Sequence, residues 1–137
     1  MPTPVLAAVI QRADEYLICQ RPAHKRHGSL WEFPGGKREQ GETHLDAARR
    51  ELAEELGVRV RSVGDVLLSI ADPGSEFVIE FVPTEIDGEP QRIEHPDIRW
   101  LTLEELPSLP LAPSDGRFVA YLMKGAERDR AQSASPR

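Results

Sequence analysis

Within residues 36–58, GKREQGETHLDAARRELAEELGV, three glutamates fall in five positions: Glu51, Glu54 and Glu55. The segment reads as a helix. Thr43 can serve as its N-cap, with Asp46 three residues on closing a capping-box-like start. Gly57 stands where a helix takes a left-handed C-terminal residue. Leu45, Ala48, Leu52 and Leu56 recur at helical spacing and form one apolar stripe. At about 100° per residue the glutamates span an arc of roughly 100°. That arc lies beside the apolar stripe, toward the body of the protein. Like charges so placed destabilise a helix unless something neutralises them. A merely solvated acidic face would favour alternating signs at this spacing. A divalent cation with oxygen ligands is the more economical neutraliser. Arg50 falls just outside the arc, one turn before Glu54, and can pair with it at i,i+4.

The preceding run, Trp31-Glu32-Phe33-Pro34-Gly35-Gly36-Lys37, is aromatic and extended and ends in a Gly-Gly turn. Taken alone it is a strand with an ordinary tight turn. Beside the glutamate helix it has a second reading, because paired glycines let backbone approach a ligand closely. Gly35 can then offer its carbonyl to the same cation.

The rest of the chain bounds the class. With 137 residues, one domain with an ordinary core is expected. The lone cysteine, Cys19, admits no internal disulfide and reads as a small core residue. The net charge of −6, from 17 basic and 23 acidic residues, argues against binding a polynucleotide backbone. An anionic nucleotide accompanied by a divalent cation is compatible with that charge. No charged leader with an apolar run opens the sequence and no stretch reaches transmembrane length, so no membrane partner and a cytoplasmic location are the expectation. The chain is expected to act as a monomer or a homodimer.

Strands and two main helices alternate. Val5 to Ile10 is a buried strand, which a turn near Arg12-Ala13-Asp14 joins to Tyr16–Arg21, so that the two can form a hairpin. Pro22 to Gly28 is a basic, histidine-bearing loop. Val58 to Leu68 reads as one strand, Asp72-Pro73-Gly74 as a turn, and Phe77 to Pro83 as a strand with one wetter face. Thr102 caps a single turn that Pro107 and Pro110 stop, and Ser114 or Asp115 caps the second helix. The order gives an α/β (α+β) domain with a mixed sheet between helices. The domain is expected over residues 1–126, and a disordered tail over 127–137.

Gly36, five residues, Glu42, seven residues, then Arg50-Glu51-Leu52-x-Glu54-Glu55-x-Gly57-Val58 matches every fixed position of the Nudix hydrolase box. The chain resembles that family from about Val5 to Met123, and Trp31 to Lys37 resembles its MutT branch. The resemblance implies the Nudix α/β/α sandwich. It also implies magnesium-dependent hydrolysis of a nucleoside triphosphate to monophosphate and pyrophosphate, with manganese able to substitute. Glu51, Glu54 and Glu55 match the family's metal ligands or base, the Gly35 carbonyl adds a ligand, and Arg50 holds the glutamates in place. Lys37 can touch a phosphate. Glu94, in the Arg92–Pro96 loop, matches a glutamate that contacts metal or serves as base, whereas its neighbour His95 reads as surface. Phe33 and Asp115 match base-contacting positions, and Arg21 can reach base or phosphate.

The substrate is less constrained. Oxidised dGTP (8-oxo-dGTP) is the first expectation, as in nucleotide-pool sanitation. Yet Glu76 stands where MutT carries a base-contacting arginine, and Leu109-Pro110-Leu111-Ala112-Pro113-Ser114-Asp115 is also similar to enzymes preferring cytidine triphosphates. Pro73 is shared with ADP-ribose hydrolases, the alternative enzyme reading, although the turn already accounts for it. The remaining alternative is a non-catalytic nucleotide-binding module, which the complete set of box glutamates disfavours.

Overall fold

The computed structural model describes residues 2–134, the last two as backbone only. The strands are β1 (Thr3–Val9), β2 (Gln11–Arg12), β3 (Glu15–Gln20), β4 (Trp31–Glu32) and β5 (Gly35–Lys37). Helix α1 (His44–Leu56) follows, then β6 (Arg59–Val63), β7 (Leu68–Ala71), β8 (Phe77–Asp87) and β9 (Ile98–Thr102). A short 3-10 turn, Leu106–Ser108, precedes α2 (Pro113–Ala134). No described helix is long and apolar enough to cross a membrane.

The principal sheet has five strands in the order β5-β1-β8-β6, with β7 also on β8. β1 and β8 run parallel, pairing Val5 with Ile79 and Ala7 with Phe81, and all other pairs are antiparallel. A four-stranded sheet, β2-β3-β4 with β9 on β3, lies beside it. Because strand side chains alternate, β1 feeds two cores. Leu6 and Ala8 pack with Val82 and with Ala48, Leu52 and Leu56 of α1. Ala7 and Val9 pack with Phe81 and with Phe118 and Val119 of α2. The mixed sheet between two helices is therefore the expected α/β/α arrangement.

Helix α1 forms as its sequence dictates. Thr43 Oγ1 accepts from Asp46 N at 3.1 Å while Asp46 Oδ2 accepts from Thr43 N at 3.2 Å. Gly57 closes the helix at φ 68°. Ala48, Leu52 and Leu56 are fully buried.

Several local expectations are corrected. A hairpin does form across Ala13 and Asp14, but it joins β2 to β3. β1 itself lies between β5 and β8, because its two apolar faces need a partner strand covered on both sides. The single strand expected over 58–68 is split into β6 and β7. These pair with consecutive stretches of β8, Thr84–Asp87 and Val78–Phe81, and a register shift interrupts β6. Over residues 77–83, β8 has no wet face, since Phe81 and Val82 are both fully buried; its exposed residues, Glu85 and Asp87, lie beyond that stretch. Its Glu80 is instead held 3.1 Å from His44 Nε2 and 3.5 Å from Arg38 Nε.

Pro107 sits inside the 3-10 turn rather than stopping it, a first-turn position where no N–H is needed. Pro113 opens α2 in the same way, and neither Ser114 nor Asp115 is committed to capping it. Ser114 donates to Asp72 and Asp115 accepts from Phe33. The chain expected to be disordered from residue 127 continues α2 as far as Ala134. Glu127, Arg128 and Arg130 are good helix formers, and Glu127 and Arg130 are opposite charges three apart, so this exposed extension needs no core. Residues 135–137 of that expected tail lie outside the described residues.

Candidate active site

A cavity of about 460 Å³ is bounded by the β5 glycines, α1, the basic loop after β3 and the start of α2. Glu51, Glu55 and Glu94 all line it, together with Gly35, Gly36 and Lys37. Elements far apart in sequence thus bring most of the expected site together. Glu54 is exposed beyond the cavity wall, yet near enough for its charge to act on Glu51.

Arg50 organises the acidic face, though not through Glu54. Its guanidinium forks onto Glu42 at 2.7 and 2.9 Å, donates to Glu51 Oε1 at 2.8 Å, and donates to the Lys37 carbonyl at 3.0 Å. The bidentate carboxylate outcompetes the i,i+4 partner because two parallel charge-assisted bonds exceed one solvated pair. The Arg50 guanidinium holds the Glu42 carboxyl down at about 2, helped by the Glu39 backbone N–H. In return Glu42 pushes the Arg50 pKa up.

This gives a pH-dependent prediction. A depressed folded pKa stabilises the protein above the ordinary value of 4.5, and that contribution is lost as pH falls through about 2. The melting temperature of Glu42→Gln is expected below wild type at pH 7. Thermal melts between pH 7 and pH 3 should show the gap narrowing only below about 4.5; a gap constant with pH contradicts the assignment.

Glu51 is pressed against backbone. A Cβ on Gly36 would lie 2.6 Å from both carboxylate oxygens of Glu51, so any larger residue there would have to displace that carboxylate. Burial raises the Glu51 pKa, partly offset by Arg50. Glu55 is buried, and desolvation, followed by the charges of Glu51, Glu32 and Glu94, pushes it up to about 9. Its Oε2 has no hydrogen-bond partner among the described residues, and its Oε1 lies 3.6 Å from His95 Nε2.

His95, expected at the surface, is 4% exposed and lies between Glu55 and Glu32, 3.8 Å from the latter. Sequence reasoning also did not single out Glu32, which lines the cavity and pairs with Arg21 at 2.8 Å. Both had a sequence signal, since Glu32 lies inside the Trp31–Lys37 run and His95 follows Glu94.

Among the described residues no three His, Cys, Asp or Glu side chains already converge as a closed metal cage. The donor set nevertheless fits a hard divalent cation. It consists of carboxylates beside a glycine backbone, one of which has a buried, unpartnered oxygen. A cation that keeps several waters and takes one or two carboxylates needs no closed cage.

The remaining expected residues divide. Lys37 is exposed, with its ammonium 5.2 Å from the Phe77 ring centroid. Arg21 lines the cavity, held by Glu32 and by the Arg26 carbonyl at 2.6 Å. Phe33 does not offer its ring to a base. It is 3% exposed and edge-on to Phe81 and Phe118, because this aromatic cluster fills the core under α2. What Phe33 supplies is its backbone N–H, which donates to Asp115 Oδ1 at 2.9 Å. Asp115 is buried against the cavity, and burial pushes its pKa well up. Pro73 belongs to the β7–β8 turn, where its carbonyl accepts from Arg26 at 3.1 Å.

Residues 1–122 match the family model described as NUDIX domain. The CTP pyrophosphohydrolase of Escherichia coli K12 is 40% identical over 115 residues, covering 81% of this chain and 84% of that protein. A putative 8-oxo-dGTP diphosphatase 2 of Mycobacterium tuberculosis H37Rv is 37% identical over 123 residues, covering 88% and 87%. The crystal structure of a MutT NUDIX hydrolase from Burkholderia pseudomallei superimposes with a TM-score of 0.75 at 28% identity, covering 87% of this chain and 95% of that one.

Proposed function

The chain belongs to the NUDIX domain family, hydrolases of nucleotide phosphoric anhydrides, and from that premise we propose that it converts a nucleoside triphosphate to the monophosphate and pyrophosphate. The observation carrying this reading is the carboxylate pair Glu51 and Glu55, one wedged on the Gly36 backbone and the other holding an unpartnered buried oxygen. The catalytic unit is assigned to residues 1–126.

Glu51, Glu54, Glu55, Glu94 and the Gly35 carbonyl are the groups assigned to hold magnesium, or manganese in its place. When bound there, the cation screens the phosphate oxygens and lowers the pKa of a coordinated water. Arg50 fixes Glu51 and, through the Lys37 carbonyl, strand β5, which carries Gly35 and Gly36 where the sequence suggested a turn. Lys37 is assigned to a phosphate oxygen. One carboxylate of the cluster takes the proton of the attacking water.

Asp115 is the base reader. Ionised, it accepts from an exocyclic amine; protonated, as its burial favours, it also donates. Both guanine and cytosine derivatives carry that amine. 8-oxo-dGTP is the first substrate, consistent with the relative named for it. Cytidine triphosphates are the second reading, favoured by Glu76 in place of an arginine and by the 40% identical relative.

Two experiments separate these. Rates on 8-oxo-dGTP, dGTP, CTP, dCTP and ADP-ribose rank the substrates, and ADP-ribose in first place would overturn the triphosphate assignment. Asp115→Asn keeps an acceptor for Phe33 N and replaces the second oxygen with a donor. It is expected to change the ratio of kcat/KM between 8-oxo-dGTP and CTP at least about tenfold; an unchanged ranking removes Asp115 from the base pocket.

A further inference from the structure

The basic loop, residues 22–30, carries none of the acidic cluster, yet Lys25, Arg26 and His27 line the cavity. Its stem is tightly built. Arg21 N donates to Leu30 O at 2.9 Å, Ser29 N to Arg21 O at 3.0 Å, and Gln20 Nε2 to Ser29 O at 3.2 Å. A Cβ on Gly28 would collide with the Ala23 carbonyl. His27 and Ser29 take φ of 56° and 68°, a sparsely populated region that persists where the surroundings impose it.

From this rigid stem, Arg26 reaches the β7–β8 turn. Its guanidinium donates to Asp72 Oδ2 at 3.2 Å and to the Pro73 carbonyl at 3.1 Å, and His27 Nε2 lies 3.9 Å from the same carboxylate. Asp72 is 8% exposed. Its Oδ2 also accepts from Ser75 Oγ at 3.1 Å, and its Oδ1 accepts from Ser114 Oγ at 2.7 Å. Ser114 immediately precedes Asp115. One buried carboxylate therefore joins the loop, the turn and the first residues of α2. Arg26, Asp72, Ser114 and Asp115 all face the same cavity.

We propose that Asp72 is a positioning residue for nucleobase recognition. Through Arg26 it holds the loop as a wall of the base pocket, and through Ser114 it fixes the backbone that presents Asp115. The proposal rests on Asp115 reading the base, as assigned above. The sequence shows Asp72 only as the first residue of a turn. The carboxylate's second task appears when the chain brings residues 26, 72 and 114 together.

The test is calorimetric binding, with magnesium, of CMP, 8-oxo-dGMP and inorganic tripolyphosphate, which has no base. Arg26→Ala and Ser114→Ala are expected to weaken the tighter monophosphate about tenfold and to shrink the ratio between the two. Tripolyphosphate affinity should not change. Arg26→Lys, which keeps one donor but not the fork, should recover part of the loss. Unchanged monophosphate affinities in both alanine variants overturn the proposal, as does a parallel loss for tripolyphosphate or no binding of either monophosphate by wild type. If wild type discriminates the monophosphates as expected but releases no pyrophosphate from triphosphates, the catalytic reading falls and this one stands.

Discussion

Glu54→Gln is expected to lower turnover on the best triphosphate on the order of a thousandfold while leaving the melting temperature unchanged. The two halves follow from one fact. Glu54 is exposed and, among the described residues, makes no hydrogen bond or ion pair that glutamine would break. Its neutralisation even relieves repulsion with Glu51. Stability should therefore stay within about 0.5 kcal/mol, as for an ordinary surface change. The chemistry needs the charge, because magnesium is held through one or two carboxylates and an amide oxygen in place of one does nothing to offset the cation's charge. Near-normal turnover in saturating magnesium contradicts the assignment of Glu54 to the metal site.

Arg50→Ala is expected to cost both stability and activity. Four hydrogen bonds disappear at once, to Glu42, Glu51 and the Lys37 carbonyl. Glu42 and Glu51 are left partly buried without their cation. Bonds to charged groups contribute roughly 1.5–3 kcal/mol each at best. Because the Arg50 side chain is 29% exposed, water screens the loss, and about 2 kcal/mol in total is the expectation. Turnover should fall about a hundredfold, since Glu51 and the glycine-bearing strand β5 lose their common anchor. Arg50→Lys separates the effects. A point charge can recover part of the stability but cannot fork onto Glu42 while holding Glu51. Urea denaturation and steady-state rates on the two variants read this directly, and full activity in Arg50→Lys argues against the anchoring role.

Helix α1 was legible because its signals are local. Thr43, Asp46, Gly57 and the Ala48–Leu52–Leu56 stripe each act within a turn or two of chain. That Glu51 and Glu55 share one flank of α1, the flank that lines the cavity, was legible because helical periodicity alone sets it. The failures are non-local. Phe33 lies in an aromatic run that could face ligand or core, and only Phe81 and Phe118, far along the chain, decide for the core. His95 looks like loop surface until β9 and α1 place it between Glu32 and Glu55. Arg50 had a plausible partner one turn away and took a better one eight residues back. The helix over 127–134 departs from expectation for the opposite reason: local propensity, not the charged and small-residue composition, decides its conformation.

The central claim is that the acidic flank of α1 and the Gly35 and Gly36 backbone of β5 form a divalent-cation site for phosphoanhydride hydrolysis. Its most direct measurement is product release from 8-oxo-dGTP and CTP, with magnesium present and with magnesium chelated. Nucleoside monophosphate and pyrophosphate in equal amounts, formed only with the cation, is the predicted result. Orthophosphate as the product, or the same rate under chelation, would contradict it.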